Sequence, residues 1–184
     1  VHVGAGEQVD RFALSVGGYT STVGFFTAPI GERTRALLVD DPMLFDREQL
    51  YGVGSADYAD NPRRFAVLVR AALEFAARQG TRPSVVHAHD WQAGLAPVYL
   101  RTLYASHPVL AATSSVFTIH NLAYSGSFEP DWLPRLDLPW SLYTMEGLEF
   151  YGRISFLKAG IVYAEAITTV SPHYAEEIQT PEAG

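Results

Sequence analysis

The chain has 184 residues, of which 48% are hydrophobic and 18% are charged; this is the composition of a single globular domain and excludes a disordered chain. It has no cysteine, which excludes a disulfide scaffold, a thiol nucleophile and a zinc–thiolate site. Its 13 basic and 20 acidic side chains give a net charge of −7, which disfavours nucleic acid as a partner because phosphates need a basic face.

The first forty residues predict β-strands. Apolar side chains at every second position, followed by two glycines, predict a strand and a turn over 12–18. Two more strands are predicted over 22–27 and 35–39. The segment 40–60 contains two glycines and one proline and is predicted to be a loop.

A helix is well marked after this loop. Asn61 is predicted to cap its N-terminus, and Pro62 falls at the first helical position, where its missing N–H is not needed. The apolar residues of 65–76 recur with the spacing of one buried helix face. Gly80 is predicted to end the helix.

Strands and helices alternate in the rest of the chain. Short apolar runs over 84–90, 116–120 and 166–170 predict buried strands, and helices are predicted over 92–104 and 152–165. This alternation predicts right-handed crossovers and a parallel sheet. The predicted fold class is therefore α/β, a parallel sheet with helices on both faces.

Ligands of such sheets bind beyond the carboxyl ends of the strands. The side chains that directly follow the predicted strands should therefore converge on one crevice. These residues are His89, Asp90, Trp91, His120, Asn121 and Ser171.

Each candidate site residue has a functional and a structural interpretation. Asp90 could hold a sugar hydroxyl, orient an imidazole or cap the next helix. Trp91 offers a flat face for a sugar ring, but large aromatic residues also pack in cores. His120 and Asn121 offer donors and acceptors to a sugar, or form a turn. Tyr51 is a candidate ligand contact or an aromatic residue of a surface loop.

His87 and His89 fall on one face of their predicted strand because side chains alternate along a strand. Two imidazoles at this spacing can hold a metal, and with His120 as a third ligand they suggest a metal-dependent hydrolase. In the structural interpretation they bond to the backbone at the strand end, and the further ligands of a zinc or iron site are missing. A non-catalytic glucan-binding module is a second alternative, which the 10 Tyr, 10 Phe and 3 Trp permit.

Several sequence signatures are absent. The chain contains no dinucleotide-binding glycine fingerprint, no P-loop and no nucleophile elbow, which disfavours a nicotinamide dehydrogenase, a P-loop enzyme and an α/β-hydrolase. No stretch predicts a membrane span, and we expect neither a signal peptide nor a transit peptide at the start.

Four long stretches match one family in order and spacing. They are 57–65 (DYADNPRRF), 85–95 (VVHAHDWQAGL), 116–126 (VFTIHNLAYSG) and 154–175, which starts ISFLKAG and ends TVSPHYA. With these motifs, from about residue 36 to its end, the chain resembles bacterial glycogen synthase and plant starch synthase. The resemblance implies two Rossmann-like domains with the active site between them. Residues 1–184 would be part of the N-terminal, acceptor-side catalytic domain, without the C-terminal nucleotide-binding domain.

The resemblance implies a retaining glucosyltransferase that moves glucose from ADP-glucose to the non-reducing end of α-1,4-glucan in glycogen or starch synthesis. The implied partners are the glucan acceptor and the nucleotide-sugar donor, with no metal, cofactor, nucleic acid or membrane. The choice between ADP-glucose and UDP-glucose depends on regions outside this chain. The implied location is the bacterial cytoplasm, or the plastid if the chain comes from a plant. The oligomeric state is not predicted.

The resemblance also implies roles for individual residues. His120 matches the histidine that contacts the transferred glucose, and it is the predicted catalytic residue. Asp90, Trp91 and Asn121 match residues that line the sugar and acceptor side. Tyr51 matches a loop tyrosine that often follows R-P-G-x-P, although this chain has one residue fewer there.

Two features of the family are not found in the sequence. They are the Lys-x-Gly-Gly-Leu loop and the second-domain cations that hold the donor diphosphate. We therefore expect no glucose transfer by this chain alone, because the charge of the leaving group lacks a preorganised partner.

Overall fold

The computed structural model describes residues 6–54 and 56–181. An antiparallel sheet of three strands lies first in the chain, which confirms the strands predicted there. The last residues of its first strand are alternately buried and exposed, as the sequence pattern predicts. The strands are β1 (Glu7–Val16), β2 (Tyr19–Pro29) and β3 (Arg35–Asp40), paired in that order.

The segment between this sheet and the first long helix is mostly irregular, as predicted. Its one helical turn is capped by Asp41, whose carboxylate accepts a hydrogen bond from the Met43 backbone N–H at 3.2 Å. The regular elements of this segment are α1 (Pro42–Phe45), β4 (Gly52–Val53) and β5 (Ala56–Asp57).

The long helix α2 (Asn61–Arg78) lies where the sequence predicts it, and Gly80 ends it in the left-handed conformation with φ of 68°. The predicted cap is wrong. Asp60 occupies the cap position without a side-chain cap bond, and Asn61 is fully buried. The Asn61 side-chain oxygen instead accepts a hydrogen bond from the Arg64 guanidinium. A charged donor makes a stronger hydrogen bond than a neutral backbone N–H, so the Asn61 oxygen binds Arg64 and not a backbone N–H of the helix.

The helix predicted over 92–104 is divided into two shorter helices. Gly94 lies at the break, where a Cβ would stand 1.9 Å from the Phe156 carbonyl oxygen. Pro97 lies in the first turn of the second helix, where no backbone donor is needed. The elements of this region are β6 (Val85–His89), α3 (Asp90–Ala93), α4 (Leu95–Arg101) and β7 (Ser114–Ile119).

The remaining described chain adds a small antiparallel sheet, a third parallel strand and short helices. The helix predicted over 152–165 is shorter, because Ser155 caps it by accepting a hydrogen bond from the Lys158 backbone N–H at 3.1 Å. No helix within the described ranges has both the length and the hydrophobicity of a transmembrane segment. The elements are β8 (Ser127–Phe128), α5 (Trp132–Arg135), a 3-10 helix (Trp140–Leu142), β9 (Glu149–Phe150), β10 (Arg153–Ser155), α6 (Phe156–Tyr163), β11 (Ala166–Thr169) and α7 (Pro172–Glu177).

The three later strands form a parallel sheet in the order β11-β7-β6, which confirms the α/β fold. Phe117 of β7 is fully buried and packs against Gly160 of α6, where a Cβ would lie 2.4 Å from its ring. The outer strands are more exposed than predicted: Val85 is 50% and Ile167 is 49% exposed. Each outer strand pairs with a single neighbour in the described part of the chain, so its apolar residues are covered incompletely.

A polar network fixes the turn between β1 and β2 against α2. The Gly17 backbone N–H donates to one carboxylate oxygen of Asp137 at 3.0 Å, and Arg70 Nη1 donates to the other at 2.9 Å. Arg70 Nε also donates to the Tyr104 hydroxyl at 3.0 Å, and that hydroxyl donates to Glu74 at 2.6 Å. The network therefore joins the antiparallel sheet to the helical part of the fold.

The two glycines of this turn provide a matched pair of variants. Both have left-handed backbones. A Cβ at Gly17 would lie 1.9 Å from the Arg135 carbonyl oxygen, whereas a Cβ at Gly18 would meet no atom within 4 Å. We expect Gly18→Ala to lower the free energy of unfolding by about 1–2 kcal/mol, and Gly17→Ala by more than about 3 kcal/mol. Urea denaturation measures both, and equal losses would contradict the close contact with Arg135.

Candidate active site

The carboxyl ends of β6 and β7 meet at one edge of the parallel sheet. Asp90 follows β6 directly and His120 follows β7 directly. The His120 backbone N–H donates to Asp90 Oδ1 at 2.7 Å. The structure therefore brings together two of the residues that the strand-end rule selects.

The end of the third strand joins the same edge through α7. Ser171 caps α7 by accepting a hydrogen bond from the Tyr174 backbone N–H at 3.0 Å. The Tyr174 hydroxyl in turn accepts a hydrogen bond from the Leu122 backbone N–H at 2.9 Å, just beyond His120 and Asn121. Ser171 therefore has a structural role here, and it supports the site through Tyr174.

Asp90 does not cap the helix that follows it. No side-chain cap bond is made at the start of α3, and the carboxylate bridges to the neighbouring strand end instead. The backbone of Asp90 has φ of 55°, which is unusual for a residue with a side chain. Aspartate tolerates this left-handed conformation better than most residues, although it still costs about 1 kcal/mol.

Trp91 is largely a core residue, since only 8% of its surface is exposed. Its ring packs edge-on against Phe65 with centroids 4.8 Å apart, and the Tyr51 ring lies 6.1 Å away. Tyr51 itself is 43% exposed. Gly126 lies directly against the indole, where a Cβ would stand 2.5 Å from Trp91 Cε3. Trp91 thus leaves only a small part of its surface open to a ligand.

These aromatic residues border a cleft of about 620 Å³. Four of the five predicted site residues line it: Tyr51, Asp90, Trp91 and Asn121. The Asn121 side-chain oxygen accepts a hydrogen bond from the Ala123 backbone N–H at 3.0 Å, so the predicted turn is present as well. His120 does not line the cleft; it lies beside it, joined to the lining through its bond to Asp90.

The sequence analysis assigned no role to six further polar or aromatic residues that line the cleft. Gln92 follows Trp91 in α3, and the other five come from loops or short strands: Asp57, Tyr124, Ser125, Ser127 and Phe128. The lining as described contains two carboxylates and neither lysine nor arginine. Such a cleft suits a neutral ligand with many hydroxyl groups better than a diphosphate.

Three imidazoles lie together on the open face of the sheet near this edge. The rings of His87 and His89 have centroids 4.2 Å apart, and His89 Nδ1 lies 2.9 Å from His120 Nε2, a hydrogen-bond distance. His87 Nε2 is bonded to the Thr118 hydroxyl at 2.6 Å. Burial, followed by the nearby His87 and His120, lowers the pKa of His89, so its neutral form is favoured.

This arrangement does not support the metal-dependent hydrolase. The nitrogens of His89 and His120 face each other, and a nitrogen of His87 is bonded to Thr118. Across residues 6–54 and 56–181, no three or more His, Cys, Asp or Glu side chains are grouped to hold a metal ion.

Comparison with known proteins agrees with this geometry. The family model described as the starch synthase catalytic domain matches residues 3–184. The chain belongs to the starch synthase catalytic domain family. A glycogen synthase of Anaeromyxobacter dehalogenans is 48% identical over 181 residues, and one of Myxococcus xanthus is 51% identical over 160 residues. These matches cover 98% and 86% of this family member, but only 37% and 33% of the relatives.

A solved structure of the family has the same fold. The catalytic domain of starch synthase IV from Arabidopsis thaliana, bound to ADP and acarbose, superposes with a TM-score of 0.84 at 28% identity. The match covers 97% of this chain and 36% of that one. The chain thus spans about a third of the length of the relatives it matches.

The bond between Asp90 and His120 makes a prediction for this member of the starch synthase family. Alanine at position 90 removes the acceptor and is less tolerant of the left-handed backbone, whereas asparagine keeps an oxygen and tolerates that backbone. We expect Asp90→Ala to lower the free energy of unfolding by about 1–2 kcal/mol, and Asp90→Asn by less than half of that. Urea denaturation of both variants tests this, and a larger loss in the asparagine variant would contradict it.

The imidazole cluster makes a prediction for pH. In an NMR titration His89 should have a pKa below the ordinary histidine value, and His120→Ala should raise it by removing one neighbouring positive charge. Because His89 resists protonation in the folded state, its contribution lowers stability as the pH falls below the ordinary histidine pKa of about 6.5. A His89 pKa that is unchanged in the His120→Ala variant would contradict the coupling.

Proposed function

We propose that this chain forms the acceptor-side part of a retaining glucosyltransferase that extends α-1,4-glucan with glucose from a nucleotide sugar. One observation carries the proposal. The hydrogen bond between Asp90 and His120 fixes two strand ends beside a cleft lined by aromatic residues, amides and carboxylates. Membership of the starch synthase family supports this choice among sugar-binding functions.

His120 is the residue that we propose to contact the transferred glucose. Its backbone N–H is bonded to Asp90 and its imidazole to His89, so both its main chain and its side chain are held in place. A preorganised imidazole can donate a hydrogen bond to a hydroxyl of the transferred glucose and so hold the reacting carbon in line with the acceptor. Donors fixed before the reaction stabilise the transition state without the cost of reorienting them.

The cleft is the proposed binding site for the sugars of the acceptor. Tyr51 and the exposed part of Trp91 offer apolar contacts to pyranose rings. The Asn121 oxygen is engaged by Ala123, so its amide N–H groups are the ones we propose for sugar hydroxyls. The second carboxylate oxygen of Asp90 is the proposed acceptor for a hydroxyl.

The donor diphosphate requires a different environment. A diphosphate is held best by cations, and the cleft lining as described contains none. We therefore propose that a second, nucleotide-binding domain supplies these cations and that the isolated 184-residue chain is inactive. ADP-glucose is the proposed donor, and this choice of nucleotide is supported by the starch synthase IV structure, which contains ADP. No cofactor is proposed. The proposed location of this protein is a bacterial cytoplasm, because bacterial glycogen synthases are among the relatives of this chain.

The test uses the protein expressed from its complete reading frame, with maltoheptaose as acceptor and either ADP-glucose or UDP-glucose as donor. We expect His120→Ala to lower kcat by at least about 100-fold, because a transition-state donor is lost. His107→Asn is the matched control: His107 Nδ1 accepts hydrogen bonds from the Val109 and Leu110 backbone N–H groups, and it does not line the cleft. This control should keep its kcat.

Three outcomes would contradict the proposal. One is full activity of the His120→Ala variant, and another is the absence of transfer from either donor by the unaltered protein. The third is glucose transfer by the purified 184-residue chain that His120→Ala abolishes; this result would remove the need for a second domain.

A further inference from the structure

Two polar side chains at the start of α2 are buried although neither one caps the helix. Asn61 has no exposed surface, and Arg64 is 4% exposed. Arg64 Nη1 donates to Asn61 Oδ1 at 2.6 Å, so the two side chains form one unit. Burying a guanidinium is unfavourable unless its donors are satisfied, so its remaining partners show what the pair holds.

Those partners are main-chain carbonyls of α1 and of the loop that follows it. Arg64 Nε donates to the Leu44 carbonyl at 2.8 Å, and Arg64 Nη1 donates to the Leu50 carbonyl at 2.9 Å. Asn61 Nδ2 donates to the Tyr51 carbonyl at 2.8 Å. The pair therefore binds the main chain at both ends of the segment 44–51.

The loop also has polar contacts of its own: the Tyr58 hydroxyl donates to the Gln49 carbonyl at 3.3 Å, and Arg47 pairs with Asp60 at 2.8 Å. Its apolar contacts are few. Residues 46–51 have no helix or strand, and Leu50 is 68% exposed, so little apolar burial stabilises this segment. The exception is the Tyr51 ring, whose centroid lies 6.1 Å from those of Phe65 and Trp91. The carbonyl of the same residue is the one that Asn61 binds. The same carbonyl accepts a hydrogen bond from the Tyr58 backbone N–H at 2.9 Å, so Asn61 is one of two donors that fix the main chain of the residue carrying the ring.

Aromatic rings surround the guanidinium and connect it to the same cluster. The central carbon of the Arg64 guanidinium lies 5.1 Å from the Tyr58 ring centroid and 5.4 Å from that of Phe65, which packs against Trp91. A planar guanidinium can lie between rings and still donate to several carbonyls, whereas a lysine ammonium cannot reproduce this fork. The site therefore requires arginine and not merely a positive charge.

We propose that Asn61 and Arg64 are positioning residues for sugar binding, which act by holding the Tyr51 ring against Trp91 at the rim of the cleft. Neither residue lines the cleft, so the effect passes through Tyr51. This inference rests on the proposed function, in which Tyr51 contacts the acceptor glucan.

The test uses Asn61→Asp and Arg64→Lys in the protein expressed from its complete reading frame. Asn61→Asp keeps an oxygen for Arg64 and replaces the donor to Tyr51 with a carboxylate oxygen, which repels the Tyr51 carbonyl. Arg70→Lys is the matched control, because Arg70 lies on the same helix and its side chain bonds to Asp137 and Tyr104, away from this loop. The measurements are hydrogen exchange of the loop amides and kcat and KM for maltoheptaose, each with and without Tyr51→Ala.

We expect both variants to raise the maltoheptaose KM about five- to tenfold with little change in kcat, because they weaken binding and not the chemical step. In the Tyr51→Ala background the same substitutions should change KM by less than about twofold, since residues that act through one another are not additive. Amides of residues 47–52 should exchange faster in both variants but not in Arg70→Lys. An undiminished KM effect without the Tyr51 ring, or unchanged exchange, would overturn the proposal.

Failure of the proposed function would look different. If the unaltered protein transfers no glucose, the glucosyltransferase proposal is wrong. The role of Asn61 and Arg64 is then tested by two other measurements, hydrogen exchange of the loop amides and the affinity for maltoheptaose. Faster loop exchange together with weaker maltoheptaose binding would still support the positioning role. Unchanged exchange would overturn it independently of activity.

Discussion

The parallel pairing of β6 with β7 is the constraint on which the rest of the site depends. Its register places His89 opposite Thr118, so that the residues just beyond each strand end are neighbours. Asp90 can then reach the backbone of His120 without any connecting segment. A shift of one residue would turn alternate side chains to the other face of the sheet, which would separate the imidazoles from one another and the carboxylate from His120.

The sequence was sufficient for those parts of the site that follow from strand ends. Asp90, Trp91, His120 and Asn121 were selected because parallel strands terminate at a common edge, and this rule needs no knowledge of distant contacts. Asn61 was assigned wrongly because capping rules consider only the adjacent turn, whereas its partners include a carbonyl ten residues earlier. The exposure of the outer strands was missed for a similar reason: an apolar run does not show how many neighbours its strand will have.

The histidines show how a neighbouring strand resolves a local ambiguity. Two imidazoles separated by one residue are compatible with a metal site or with simple packing, and their own strand cannot distinguish these. The adjacent strand decides, because Thr118 accepts or donates at His87 while His120 bonds to His89. The bond to His89 holds the imidazole of His120, and the bond to Asp90 holds its backbone.

The contact between Gly126 and Trp91 fixes the width of the cleft where the loop meets the indole. The loop main chain touches the indole directly because position 126 carries no side chain, and the indole is itself backed by the Phe65 ring. Opening the cleft at this point would require the indole and the phenyl ring to move together, since dense interiors yield by discrete rearrangement and not by gradual stretching. A methyl group at position 126 would push the loop and the indole apart and so change the width of the cleft.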